Sequence, residues 1–187
     1  MKAKRLTAQQ AVKMLGEFYE TGTPDEMNNS FGWAHAPEVL RQNERIYAYY
    51  DTLAMKTGEA SPANVEPLAL VGFGILEMNL RDARDTEAFL SCGVFPQFRR
   101  RGYWHKIMAD LIAKAKDLGA DFCSRTVNKE NEEHYNRSMR EAYTESNGWV
   151  HAGDHWHPAP GYGFFVWPFD DKERKEAKKV AATKAHP

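Results

Sequence analysis

The feature that most limits the fold is the join at residues 94–104. There an apolar run ending in Val94-Phe95-Pro96 gives way to three consecutive arginines, a glycine and an amphipathic stretch. From Tyr103 to Leu118 the residues Trp104, Ile107, Met108, Leu111, Ile112 and Ala115 recur at helical spacing, and Gly119 closes the stretch. A strand leading through a short loop into a helix places the chain among α/β architectures. The start of such a helix presents backbone N–H groups and a partial positive charge, which together bind phosphate oxygens. Arg99, Arg100 and Arg101 add side-chain charge beside it. Gly102 permits a backbone conformation, and a closeness of approach, that a Cβ would hinder. In physical terms the segment is a pyrophosphate cradle.

The rest of the chain fits around this join. Thr7 and Gln10 form a capping-box pattern, and Ala8, Ala11, Val12, Leu15, Phe18 and Tyr19 trace one helical face that ends near Gly22. A short helix is expected from Pro37 to about Asn43. Strands are expected at Arg45–Leu53, Leu68–Met78 and Glu87–Phe95, then at Ala120–Val127 after the central helix. A second late helix spans about Glu132–Ser146, with Gly148 at its end. Two last strands, Trp149–Trp156 and Tyr162–Trp167, flank the breaker Pro158-Ala159-Pro160-Gly161. A strand before the first helix is too short to assign. The order predicts an α/β domain of mixed sheet over residues 1–169. The charged, Ala-rich segment 170–187 is a tail, helical or disordered.

Composition excludes several classes. The net charge is −1, so no global field draws the chain to nucleic acid or an anionic membrane. No stretch approaches the roughly 18 apolar residues of a membrane span. Residues 1–10 lack the apolar core of a secretory leader. Cys92 and Cys123 each sit in an apolar run, where a buried reduced thiol is the default. The expectation is a cytoplasmic protein.

The join resembles the acyl-CoA-binding loop of the GNAT superfamily. The family's pattern there is Arg or Gln, two residues, Gly, one residue, then Gly or Ala; Arg99 and Gly102 match, and Trp104 replaces the small residue. A second match is Asn136 with Tyr143, seven residues on and so on one helical face, followed by Gly148-Trp149. The gap from Tyr143 to Gly148 is one residue longer than usual, so the helix is expected to end with an extra turn. The resemblance implies a GNAT-like, mostly antiparallel mixed sheet flanked by helices, and an acetyltransferase using acetyl-CoA as donor.

It also implies roles. Val94, Pro96, Arg99, Arg100, Arg101, Gly102, Tyr103, Trp104 and His105 would hold the cofactor. Trp104 would act through its backbone while its ring turns into the core. Asn136 would contact the pantetheine arm. The backbone N–H of Val94, beside Gly93, would stabilise the tetrahedral oxyanion. Tyr143 would protonate the departing thiolate, with simple core packing as the alternative. For the general base the family position falls near Ala88; Glu87 would point to the opposite face, Glu77 is the better candidate, and a water chain is as plausible. The loop between the first two helices covers the acceptor in relatives, which makes Phe31, Trp33 and His35 candidates for substrate contact.

Other readings stay in view. The arginine run also suits a solvated face or a nucleic-acid patch, so a GNAT-fold protein that modifies or binds nucleic acid is an alternative, disfavoured by the near-neutral charge. A catalytically idle CoA-binding module is another. His151, His155 and His157 share strand parity, yet three imidazoles on one straight strand lie too far apart for one ion, and no metal is assigned. A proton-shuttling role for one of them stays open. Dimers are common among relatives, so a homodimer is compatible with the sequence.

Overall fold

Residue alternation along two strands explains how the helices are placed. The computed structural model describes residues 1–21, 44–52, 68–82, 85–128, 136–137, 140–152, 162–170, 172, 174 and 175. Their elements run β1 (Lys2–Arg5), α1 (Ala8–Thr21), β2 (Glu44–Asp51), β3 (Ala69–Asp82), β4 (Asp85–Val94), α2 (Tyr103–Asp117), β5 (Phe122–Asn128), β6 (Val150–His151) and β7 (Tyr162–Pro168). The strands form one mixed, mostly antiparallel sheet in the order β1-β2-β3-β4-β5-β7-β6. β4 and β5 pair parallel, from Glu87↔Phe122 to Phe89↔Ser124.

The capping box forms as the sequence implies. The Thr7 N–H donates to Gln10 Oε1 at 3.1 Å, and the Gln10 N–H donates to Thr7 Oγ1 at 3.3 Å. At the far end of α2 the Ala120 N–H bonds to the Ala115 carbonyl and the Gly119 N–H to that of Lys116, a Schellman closure.

The chain divides into two compact units, Met1–Leu76 with Ser91–Leu111, and Glu77–Leu90 with Ile112–Pro187. In the first, Ala11 and Met14 of α1 pack with Ile46 and Ala48 of β2, Phe73 and Ile75 of β3, and Phe95. The strand residues of opposite parity serve α2. A Cβ on Gly74 would stand 2.8 Å from Leu111 Cδ1, so the missing side chain lets the helix approach the sheet closely. In the second unit Phe122, Val150, Ala152, Phe164 and Val166 form the core. There β5 pairs antiparallel with β7 along its whole length, from Phe122↔Pro168 to Asn128↔Tyr162.

Three expectations are corrected. The four residues of β1, all exposed, pair antiparallel with β2 from Lys2↔Tyr50 to Arg5↔Tyr47. Their sequence, KAKR, carries no apolar alternation to announce a strand. The strand expected over Trp149–Trp156 is confined to Val150 and His151 within the described residues 149–152. The late helix stops before Tyr143. Asn147 Nδ2 donates to the carbonyls of Glu141 and Ala142 at 3.2 and 3.3 Å, satisfying groups that a continued helix would use. A 3-10 turn, Glu145–Asn147, capped by Thr144, takes up the extra residue before Gly148. The expected helix at Pro37–Asn43 lies outside the described residues.

Candidate active site

The cradle residues belong to the first unit, and local bonds fix their backbone. The Phe95 N–H donates to the Val71 carbonyl at 3.0 Å, pinning the end of β4 to β3. Pro96 then opens a 3-10 turn, Pro96–Phe98, where its fixed φ is at no disadvantage. Arg99 Nε donates to the Val94 carbonyl at 3.1 Å. Its guanidinium is half-buried, and that burial lowers its pKa. Arg99 therefore braces the loop against the strand, while Arg100 and Arg101 are exposed and carry charge outward.

The turn into α2 is left-handed at two places, Arg100 at φ 61° and Gly102 at φ 74°. Such turn conformations direct backbone N–H groups toward an anion. The Gly102 carbonyl accepts the first intrahelical bond, from the Lys106 N–H at 3.3 Å. Its chain neighbours aside, no atom of the described residues lies within 4 Å of where a Gly102 Cβ would stand. The space above the glycine is open, as an approaching phosphate requires.

The stripe of α2 begins one residue earlier than the sequence implies. Tyr103 is buried, whereas Trp104 is half-buried, its indole edge-on to exposed His105 at 5.0 Å. The Trp104 ring does not belong to the buried core. The Tyr103 hydroxyl donates to the Asp51 carboxylate, and burial together with this bond raises its pKa. Its ring meets Phe98 edge-on at 6.4 Å, Arg101 lies over Phe98 at 5.9 Å, and Lys106 lies over Tyr103 at 5.3 Å. Two cations are thus held at either end of an aromatic pair at the mouth of the helix.

Tyr143 and Asn136 belong to the second unit. Asn136 is helical and exposed. Tyr143 lies past the helical residues Arg140 and Glu141 and is 5% exposed. Its ring stacks on Phe165 at 4.6 Å and meets Trp149 edge-on at 5.2 Å, with the Arg125 guanidinium 5.9 Å from its centroid. Glu77 of β3 is half-buried. Glu87 is buried and accepts a short hydrogen bond from the Ser124 hydroxyl. The Cys123 thiol is pushed above its ordinary value by burial and by Glu87. His151 lies against Phe165, with ring centroids 5.0 Å apart. His155 and His157, and the acceptor candidates Phe31, Trp33 and His35, lie outside the described residues.

Sequence reasoning passed over one constellation, the contacts of Tyr49 and Asp51 with α2. Tyr49 is fully buried, and its hydroxyl donates to Asp110 Oδ2 at 2.7 Å. A carboxylate ending the run Ile46–Asp51, and an acid seven residues after Tyr103, were the available signals.

No family model matches the chain, and no curated protein matches it. Solved structures do. The GNAT domain of PAT from S. lividans superposes with a TM-score of 0.60 at 13% identity, covering 89% of each chain. Spermidine N-acetyltransferase from Vibrio cholerae, solved with CoA and spermine, gives 0.55 at 11% identity, covering 88% of this chain and 93% of that one. A chimera of the Vibrio cholerae spermidine N-acetyltransferase SpeG gives 0.53 at 12% identity, covering 96% and 99%. The chain has the GNAT fold. No helix among the described residues is long and apolar enough to cross a membrane.

Proposed function

We propose that this chain is an acyl-CoA-dependent N-acyltransferase that moves an acetyl group from acetyl-CoA to a primary amine within a ternary complex. The observation that carries this reading is the opening of α2. A left-handed Gly102 with open space above it stands beside two exposed arginines at a helix N-terminus. In the V. cholerae enzyme of the same fold, the bound molecules are CoA and a polyamine. The donor and acceptor classes are carried over from there.

The residues divide the work by chemistry. Val94 to His105 hold the donor, through backbone N–H groups at Gly102, Tyr103, Trp104 and His105 and through the charges of Arg100 and Arg101. Pro96 and Arg99 shape the loop, and Asn136 takes the pantetheine arm. The amine nitrogen forms a bond to the thioester carbonyl carbon, and the Val94 N–H stabilises the oxyanion. The C–S bond then breaks, and the Tyr143 hydroxyl gives its proton to the departing sulfur. The proton lost by the amine passes to Glu77 or to water. Phe31, Trp33 and His35 line the acceptor. Residues 1–169 act as the enzyme domain, in the cytoplasm, as a monomer or a homodimer.

The test pairs binding with turnover. Acetyl-CoA at a hundredfold excess over its Kd should stabilise the native protein by about 2.7 kcal/mol, read as a rise in Tm. A panel of polyamines, amino acids, aminoglycosides and peptides should then release free thiol in at least one member. Absence of any Tm shift with millimolar acyl-CoA overturns the reading. Binding without thiol release across the panel reduces it to a CoA-binding module.

A further inference from the structure

Two hydrogen bonds cross between β2 and α2, and they exchange donor and acceptor. On β2, Tyr49 and Asp51 are two residues apart and share a face. On α2, Tyr103 and Asp110 are seven residues apart, two turns along one face. The strand tyrosine donates to the helix aspartate at 2.7 Å, and the helix tyrosine donates to the strand aspartate. Tyr49, Asp51 and Tyr103 are each at most 4% exposed. A phenol donating to a carboxylate is a directional, charge-assisted bond, and burial shields it from water.

Apolar packing alone leaves a degree of freedom here. Ile107 and Leu111 lie over Gly72 and Gly74, which sets how closely α2 approaches the sheet. Contacts of this kind tolerate a small slide or tilt of the helix, because dispersion is nearly indifferent to direction. Two directional bonds set two turns apart remove that tolerance. The nearer of them is made by Tyr103, whose backbone directly follows Gly102 and belongs to the cradle's first helical turn.

We propose that Tyr49 and Asp51 are positioning residues for the anion cradle: through Asp110 and Tyr103 they fix how α2 presents its N-terminus to a bound pyrophosphate. This rests on the acyl-CoA reading above and adds residues the cradle sequence does not contain. Neither residue touches the donor; both act through the helix. Tyr103→Phe removes one hydroxyl and keeps the ring against Phe98 and under Lys106. Asp51→Asn keeps an oxygen acceptor for the Tyr103 hydroxyl, whereas Asp51→Ala removes it.

The experiment measures acetyl-CoA affinity by calorimetry, with Tm beside it, for the parent and for Tyr103→Phe, Asp51→Ala, Asp51→Asn and Ser124→Ala. The last removes a buried hydrogen bond in the second unit and reports general destabilisation. Tyr103→Phe and Asp51→Ala should each weaken binding about tenfold, the scale expected when a preorganised site loosens by a fraction of an ångström. Asp51→Asn should stay within about twofold of the parent, because its acceptor survives. Ser124→Ala should lose Tm and keep its affinity. Should Tyr103→Phe fail to fold, Tyr49→Phe carries the same comparison from the other pair. Amide exchange over Gly102–Met108 should quicken in whichever variant is folded. Equal affinity in Tyr103→Phe and the parent overturns the positioning role and leaves the acyltransferase reading intact. A parent that does not take acetyl-CoA overturns the acyltransferase reading itself.

Discussion

The Tyr143 ring lies nearly flat on Phe165, centroids 4.6 Å apart at 27°. With Trp149 edge-on at 5.2 Å, the phenol ring is held between aromatic neighbours. Tyr143→Phe keeps these ring contacts and removes the hydroxyl proposed as the proton donor. Acetyl-CoA affinity should be unchanged, and turnover should fall roughly 10²-fold, the usual scale for a positioned acid. Lower kcat with intact binding marks an interaction made in the transition state. Steady-state thiol release with calorimetry on both proteins checks it. Parental kcat would return Tyr143 to a packing role.

Gly102 offers a graded test. At φ 74° any L side chain is strained, yet among the described residues a Cβ there meets nothing within 4 Å beyond its chain neighbours. Gly102→Ala should lower stability by about 1 kcal/mol through backbone strain alone. Gly102→Val adds bulk over the cradle and should weaken acetyl-CoA by about tenfold more than the alanine variant. Chemical denaturation and calorimetry separate the two contributions. Equal affinities for the two variants would move the donor away from this residue.

Alkaline stability should depend on Tyr49. Burial first, and then the bond to Asp110, raise its hydroxyl well above the ordinary tyrosine value near 10. Above that value the unfolded chain releases a proton that the folded chain keeps. The stabilisation is therefore complete below about pH 10 and declines as pH rises further. The decline approaches 1.4 kcal/mol per pH unit for this one group, by the usual conversion of about 1.4 kcal/mol per pKa unit. Tyr49→Phe is less stable at neutral pH but lacks this loss, so the two stability curves should converge above about pH 10. Parallel curves would show that the hydroxyl titrates normally in the fold.

Removal of residues 170–187 should leave a folded protein with unchanged acetyl-CoA affinity. Among its described residues the Arg174 N–H donates to the Asp170 carbonyl at 3.1 Å, a bond within the segment itself. Phe169, which Lys116 overlies at 5.9 Å, is retained by the cut. Thermal denaturation and calorimetry of the truncated chain check this. Aggregation or lost affinity would show that the tail docks on the rest of the chain.

What the sequence revealed depended on periodicity. α2, β7 and the Thr7–Gln10 box could be read because their signals are local: a stripe, a short apolar run after a breaker, a reciprocal cap. Pro96 and Gly102 were legible for the same reason, since proline fixes its own φ and glycine frees its own. β1 could not be read, because KAKR is held by backbone pairing to β2 and not by its side chains. The end of the late helix was hidden in Asn147, whose amide reaches back five and six residues. The partners of Tyr49 and Tyr103 were invisible for a different reason. Tyr49 and Asp110 are 61 positions apart, and only the folded sheet brings them within bonding distance.

The charged residues of β1 decide what the sheet can become. A second copy laid along this edge would set Lys2, Lys4 and Arg5 against the same cations, and like charges across a strand pair repel. At the other end of the strand order stands β6, two residues long, too brief to template a ladder. Among the described residues, neither edge strand offers a long uncharged ladder. Growth of the sheet by a further strand along β1 is thus opposed by the strand's own charge.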